Sequence, residues 1–302
     1  MSKTGGIEVK KIFYCNITYG CNSNCIFCYS HNTKHNKKTY NEINVNDFII
    51  YLEKNKIKKN DRVIINGGEP MLHSEIQYML ESLKKYECEV LIYTNGRLLN
   101  NLNISNLNRL FRFIVPIHGY RVLHDSITGV NGSFDETMCG LKKLYNSNCK
   151  TDIKIIINSN MIENKYSFFK TLSTFREIPF NNAVHITKMA DTIISKKNKC
   201  ESINNELAGI YTKKIYDFYS KKNCIIKIFD TCIKYLDLLE PIKKYENFEV
   251  YFKDKNYERI IKLEKPNWEC RRDCSKKAYC YSAFSEYKVL EFYNNSMYEE
   301  IE

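Results

Sequence analysis

The chain has 302 residues, of which 43% are hydrophobic and 13% aromatic, enough for one large core with or without a small appendage. Its apolar runs, such as Val63-Ile64-Ile65, fall far short of the ~20 residues of a membrane span, and the first residues lack a signal-peptide stretch, so a cytoplasmic location without membrane contact is expected. The net charge of +11 comes from scattered Lys with no dense basic block, which argues against nucleic acid and allows a modest attraction for an acidic peptide or another anion.

In chain order, Lys10–Thr18 reads as a strand entering a cysteine-bearing loop, and residues 45–55 as a helix capped by Asn44 or Asn46. A short apolar strand, 62–65, ends in Asn66-Gly67-Gly68-Glu69-Pro70. A helix over 75–86 and a strand over 89–93 follow, the latter ending in Thr94-Asn95-Gly96. Strand 111–117 ends at His118-Gly119. Helix 133–145 has Ser133 as its expected cap, and strand 152–157 ends in Asn158. A helix over 165–175, a sixth strand over 182–187 and a helix over 201–220 complete the series. Strands separated by helices about six times predict a parallel sheet with right-handed crossovers. Six units are too few to close an eight-stranded barrel. The expected fold is α/β: a partial (β/α)6 TIM-type barrel over 1–220 with a small C-terminal cysteine-rich cluster-binding extension over 221–302. Polar and glycine-rich residues follow the strands, at the edge where such sheets bind ligands.

The 13 cysteines are too many, and too clustered, for an intracellular chain without metal. Cys21, Cys25 and Cys28 have the spacing C-x3-C-x2-C. Three thiolates in one loop can face one cuboidal cluster and leave its fourth iron to an outside ligand. A structural zinc site is the alternative, with Cys15 as a fourth thiolate, although zinc favours paired C-x2-C units.

This cysteine loop after the first strand, with Phe27 before its last Cys, resembles the radical S-adenosylmethionine (SAM) superfamily. Gly67-Gly68-Glu69-Pro70 is similar to that family's methionine-binding motif. The resemblance covers roughly residues 10–220. It implies a [4Fe–4S] cluster with an open iron, SAM chelated there, and reductive cleavage to a 5′-deoxyadenosyl radical that abstracts hydrogen. It places Gly67, Gly68, Glu69 and Pro70 at the methionine end and Phe27 near the adenine. Glycine also lets backbone approach a ligand where a Cβ would intervene. Asn158 is a candidate ribose contact, with Asn95 and His118 as further cofactor candidates. The alternatives are a plain turn at Asn95-Gly96 and a core histidine at 118.

Cys270, Cys274 and Cys280, with Cys232 upstream, form a second group that is similar to the auxiliary-cluster (SPASM or twitch) extensions of peptide-modifying members. They are expected to hold a second [4Fe–4S] cluster, with structural zinc as the alternative and Cys224 as an alternative ligand. Cys224 is also the candidate hydrogen donor to a substrate radical, while Cys88, Cys139, Cys149 and Cys200 read as small buried hydrophobes. His124-Asp125 followed by Gly132-Ser133-Phe134 resembles peptide maturases, with Thr128 where members often carry Arg. The expected function is hydrogen abstraction from a ribosomally synthesised (RiPP) precursor peptide, forming a crosslink or inverting a stereocentre. The expected partners are that peptide, whose leader is bound either by a separate leader-recognition protein or by the barrel itself because the chain starts almost at its first strand, and an electron donor such as flavodoxin or ferredoxin. The alternatives are radical SAM chemistry on tRNA or a small metabolite, and a non-catalytic iron–sulfur or zinc protein.

Overall fold

The structure is a computed structural model that describes residues 10–28, 42–163, 165–174, 178–189, 195, 197–198, 200, 202–220, 224–229, 248–253 and 258–263. Strands β1 (Lys10–Thr18), β2 (Arg62–Gly67), β3 (Glu89–Tyr93), β4 (Phe111–Ile117), β5 (Lys150–Ile157), β6 (Ala183–Lys188) and β7 (Ile225–Phe229) pair in parallel, in sequence order. Helices α1 (Val45–Lys54), α2 (Ile76–Leu83), α3 (Val122–Thr128), α4 (Ser133–Tyr145), α5 (Ser159–Glu163), α6 (Lys165–Thr174) and α7 (Asn205–Tyr219) lie in the crossovers. The sheet is open among the described residues, with β7 at one edge, so the partial barrel is the observed architecture.

The sheet exceeds the six strands expected. β7 follows α7, β8 (Phe248–Lys253) pairs parallel to β1, and β9 (Glu258–Leu263) pairs antiparallel to β8. The sheet therefore runs on past residue 220. Ile225–Phe229 is a short apolar run, which periodicity alone cannot assign to strand, helix or loop.

Alternation along each strand divides the sheet into two faces. Phe13, Cys15 and Ile17 on β1, Val63 and Ile65 on β2, and Ile153, Ile155 and Ile157 on β5 belong to the buried core beneath the helices. Asn44 caps α1 by accepting from the Asn46 and Asp47 amides, as one of the two expected caps. The opposite face carries charge. Arg62 Nη2 and Arg112 Nη2 each stand 2.7 Å from a Glu89 oxygen. Asp152, fully buried, accepts from His185 Nε2 at 2.7 Å and from Asn182 Nδ2, with Arg112 Nε at 4.0 Å and Lys227 Nζ at 3.9 Å. Burial pushes the Asp152 carboxyl up, but His185, Lys227 and Asn182 outweigh it and hold the group below its ordinary value. Burial, and then Arg112, lowers Lys227 to about 8.

Asp152 joins β4, β5, β6 and β7 through one carboxylate. Asp152→Ala leaves His185, Asn182 and the Ala183 amide without their acceptor and removes the carboxylate nearest Lys227, so a loss of about 3–5 kcal/mol is expected, read as a lower urea midpoint at neutral pH.

Candidate metal centre and its surroundings

The cysteine loop leaves β1 where β2 ends beside it. The Gly68 amide donates to Thr18 O at 2.8 Å and the Glu69 amide to Gly20 O at 2.7 Å. A Cβ on Gly68 would sit 2.1 Å from Gly20 O, and one on Gly67, whose φ is +146°, 2.2 Å from Thr18 O. These glycines are thus required for contact between two backbones, a constraint that precedes any ligand. The Glu69 side chain is buried and points inward: Oε1 accepts from Thr94 Oγ1 at 2.6 Å and Met71 N at 3.0 Å, and Oε2 from Asn95 N at 2.7 Å. It thereby ties the ends of β2 and β3 together, and Pro70 is buried as the first residue of the short turn that follows.

The loop is held from two sides. Asn24 N donates to Thr128 O at 2.8 Å and Ile26 N to Ile127 O at 3.0 Å, so it pairs with the last carbonyls of α3. Asn95 Nδ2 donates to Asn22 Oδ1 at 2.6 Å, and Arg97 Nη1 donates to Asn22 O and, at 3.1 Å, to Ser23 Oγ. Asn95 therefore clamps the loop in this structure, and its side-chain oxygen accepts from Arg97 N at 3.0 Å. Asn22, Ser23, Arg97 and the Thr128 carbonyl escaped the sequence reading, because their pairing joins positions more than 70 residues apart or uses backbone alone.

Asp125 corrects a second expectation. Ser133 is not the cap of α4: its Oγ donates to Asp125 Oδ1 at 2.9 Å. The Asp125 carboxylate accepts from Gly132 N at 2.7 Å and Phe134 N at 2.8 Å, so it occupies the α4 N-terminus from α3. Thr128 Oγ1 lies 2.6 Å from Ser133 Oγ.

Cys21, Cys25 and Cys28 are half-buried and free of disulfides, whereas Cys15, Cys88, Cys149 and Cys200 are buried. Burial raises the thiols of Cys88 to about 12 and Cys200 to about 11, and pushes Cys15 further still, which favours their protonated form. Cys15 lies in the core beneath the helices, and Cys139 is exposed rather than buried. Among the described residues no three His, Cys, Asp or Glu side chains converge on a single ion. Zinc needs donors around one point, while a cuboidal cluster takes one thiolate per iron at separate corners. The donor set of accessible thiols in a fixed loop fits the cluster.

Phe27 and His118 come together, their rings 5.2 Å apart, and His124 lies 5.3 Å beyond. His118 is buried, with no hydrogen-bond partner for Nδ1 among the described residues. Burial, then His124 and Lys154, hold it neutral well below the usual range. Burial also lowers His124 to about 4. Asn158 is fully buried and locally engaged, with Oδ1 accepting from Met161 N and Nδ2 donating to Ile156 O, both at 3.0 Å.

Cys224 precedes β7 and therefore lies at the N-terminal edge of the parallel sheet, opposite the edge from which the cysteine loop emerges. That placement removes the geometric basis for its expected role as hydrogen donor. Cys232, Cys270, Cys274 and Cys280 lie outside the described residues. A cleft of about 320 Å³ lined by Glu42, Asp47, His73, Glu75 and Lys253 contains none of the loop cysteines. No helix among the described residues is long and apolar enough to cross a membrane.

Residues 15–163 match the family model of the Radical SAM superfamily. The AdoMet-dependent heme synthase of Methanosarcina barkeri is 22% identical over 251 residues, covering 82% of this chain and 69% of that protein. The sporulation killing factor maturation protein SkfB of Bacillus subtilis is 25% identical over 146 residues, 48% of this chain and 35% of SkfB. The crystal structure of Streptococcus suis SuiB bound to S-adenosylmethionine aligns with a TM-score of 0.58 at 12% identity, over 73% of this chain and 50% of SuiB. SuiB bound to precursor peptide SuiA aligns with a TM-score of 0.56 at 13% identity, over 74% of this chain and 49% of SuiB. The likeness to SuiB is one of fold, and the chain spans about half of SuiB's length.

Glu69→Ala removes the acceptor of two backbone amides and one hydroxyl, so a loss of about 2–4 kcal/mol in chemical denaturation is expected. His118 and His124 are neutral when folded and titrate near 6.5 when unfolded, so acid favours the unfolded chain. The denaturation midpoint is expected to fall as pH drops from about 6.5 towards 4, and less steeply in His124→Gln.

Proposed function

We propose that this chain, whose residues 15–163 form a domain of the Radical SAM superfamily, is an enzyme that cleaves S-adenosylmethionine reductively and acts on a ribosomally made peptide. The observation that carries the reading is the cysteine loop. Three accessible thiols occupy one rigid turn at the carboxyl edge of the sheet, while the deeper cysteines of the barrel are kept protonated by burial. In the reading, Cys21, Cys25 and Cys28 hold the [4Fe–4S] cluster, and the Gly67–Pro70 turn and Phe27 line the place of the S-adenosylmethionine. When bound, the cluster and S-adenosylmethionine supply reductive cleavage of the sulfonium and, with it, abstraction of hydrogen from carbon. The chain itself fixes the loop through Asn95, Arg97 and α3, and excludes water with the packed Phe27–His118–His124–Phe134 rings.

SkfB is named a maturation protein and SuiB is seen with a precursor peptide, and both favour a peptide substrate. The breadth of the match to the heme synthase favours a small-molecule substrate as the second reading. The proposal includes a second [4Fe–4S] cluster on Cys232, Cys270, Cys274 and Cys280.

Anaerobically reconstituted protein with S-adenosylmethionine and dithionite is expected to form 5′-deoxyadenosine. Replacing Cys21, Cys25 or Cys28 by Ala is expected to reduce this to background, and a variant that keeps it sinks the reading. Iron content is expected at about eight per chain, dropping to about four in Cys270→Ala; about four in the unaltered protein removes the second cluster.

A further inference from the structure

One arginine is wired to a loop cysteine through a single peptide group. Asn22 O and Ser23 N belong to the same planar unit, and the two ends of that unit point opposite ways. The N–H end donates to Cys21 Sγ at 3.4 Å, and the carbonyl end accepts from Arg97 Nη1. Arg97 Nη1 also donates to Ser23 Oγ at 3.1 Å. The backbone that carries Arg97 is fixed in turn: its amide donates to Asn95 Oδ1 at 3.0 Å, and the Asn95 amide donates to the buried Glu69 carboxylate at 2.7 Å. A continuous line of contacts thus runs from guanidinium to peptide to sulfur.

The guanidinium is enclosed while its counter-charge is not. The Arg97 side chain is 10% exposed, whereas that of Glu136 on α4, which accepts from Arg97 Nε at 2.5 Å, is 51% exposed. Water therefore screens the carboxylate more than the cation. The field of Arg97 reaches the neighbouring rings: beside the burial that lowers His124, and against the pull of Asp125, Arg97 adds to the lowering. A cation that donates to a carbonyl polarises the whole peptide and makes its N–H a stronger donor. Iron–sulfur potentials are set by net charge, hydrogen bonds to sulfur and exposure, and the first two of these meet in Arg97.

We infer that Arg97, acting through the Asn22–Ser23 peptide, raises the reduction potential of the [4Fe–4S] cluster that Cys21 helps to hold. This rests on the cluster reading above and deepens it. In the couple concerned the oxidised cluster takes one electron from the reductant, dithionite in the assay, and no bond of the protein is made or broken. The added electron increases the negative charge on the sulfurs. A positive charge behind the loop and a stronger N–H on Cys21 Sγ both favour that reduced form. Arg97 acts through the loop, so it is a positioning residue and not a ligand.

The test is a redox titration of the full-length protein, reconstituted anaerobically and followed by electron paramagnetic resonance at low ionic strength. The signal followed is the one absent from Cys21→Ala, which separates this cluster from a second one. Arg97→Gln is expected to keep the iron content and to lower the midpoint by about 59 mV, a tenfold shift of the one-electron equilibrium. Arg97→Lys, which restores the charge, is expected to recover most of that shift. Glu136→Gln removes the counter-charge and is expected to raise the midpoint by about 28 mV, a threefold shift. An unchanged midpoint in Arg97→Gln, or one lowered as far in Arg97→Lys, overturns the inference. Should Arg97→Gln fail to take up iron, Glu136→Gln decides by itself, and an unchanged or lower midpoint there overturns it. Assaying 5′-deoxyadenosine in the same preparations separates the two claims. The expected shifts without that product overturn the enzyme reading and leave the role of Arg97 standing, and product with an unchanged midpoint does the reverse. A protein with no signal that depends on Cys21 overturns both.

Discussion

The contact on which the site depends is the close approach of two backbones, Gly67-Gly68 against Thr18–Gly20, locked from below by the Glu69 carboxylate. A Cβ at either glycine would meet a carbonyl oxygen at 2.1–2.2 Å, well inside van der Waals contact. Because the loop of Cys21, Cys25 and Cys28 starts at this junction, its position follows from that of β2 and β3. Glu69 carries the constraint on to Thr94 and Asn95, and Asn95 returns it to the loop at Asn22. The circuit is closed by hydrogen bonds whose partners come from three different strand ends.

The concave face divides its work by height. Its lower layer is a ladder of ion pairs that ties neighbouring strands, which is how buried charge is made tolerable. Its upper layer carries polar and aromatic side chains, with the Lys154 ammonium on the Tyr93 ring and Asn16 Oδ1 without a hydrogen-bond partner among the described residues. Stability is thus concentrated where the strands enter and chemical opportunity where they leave, the arrangement expected of parallel α/β sheets.

Thiol chemistry follows the same geometry. Cysteines on strands and helices under the core are pushed towards protonation, so they behave as small apolar side chains. The loop thiols are half-buried because the loop lies at the sheet edge, outside the core beneath the helices. The cysteine count gave no such distinction. Cys139 stands on an exposed helix face, and Cys224 at the far edge of the sheet is parted from the loop by the length of a strand.

The local signals settled a great deal. Strand–helix alternation, with Asn44 before α1 and Gly-Gly-Glu-Pro after β2, fixed the class, most element boundaries and the edge that bears the loop, because each rests on neighbours a few residues apart. Pairings between distant residues stayed hidden. Arg97 reaching Asn22, Asp125 capping α4 in place of Ser133, and Glu69 turning inward to Thr94 all depend on which side chains the fold brings within 3 Å. The same holds for β7 to β9, whose short runs become strands only when a sheet edge offers them partners. Periodicity and spacing are properties of the chain, so they could be read directly. Hydrogen-bond complementarity across the sheet is a property of the packed molecule, and only the tertiary structure decided it.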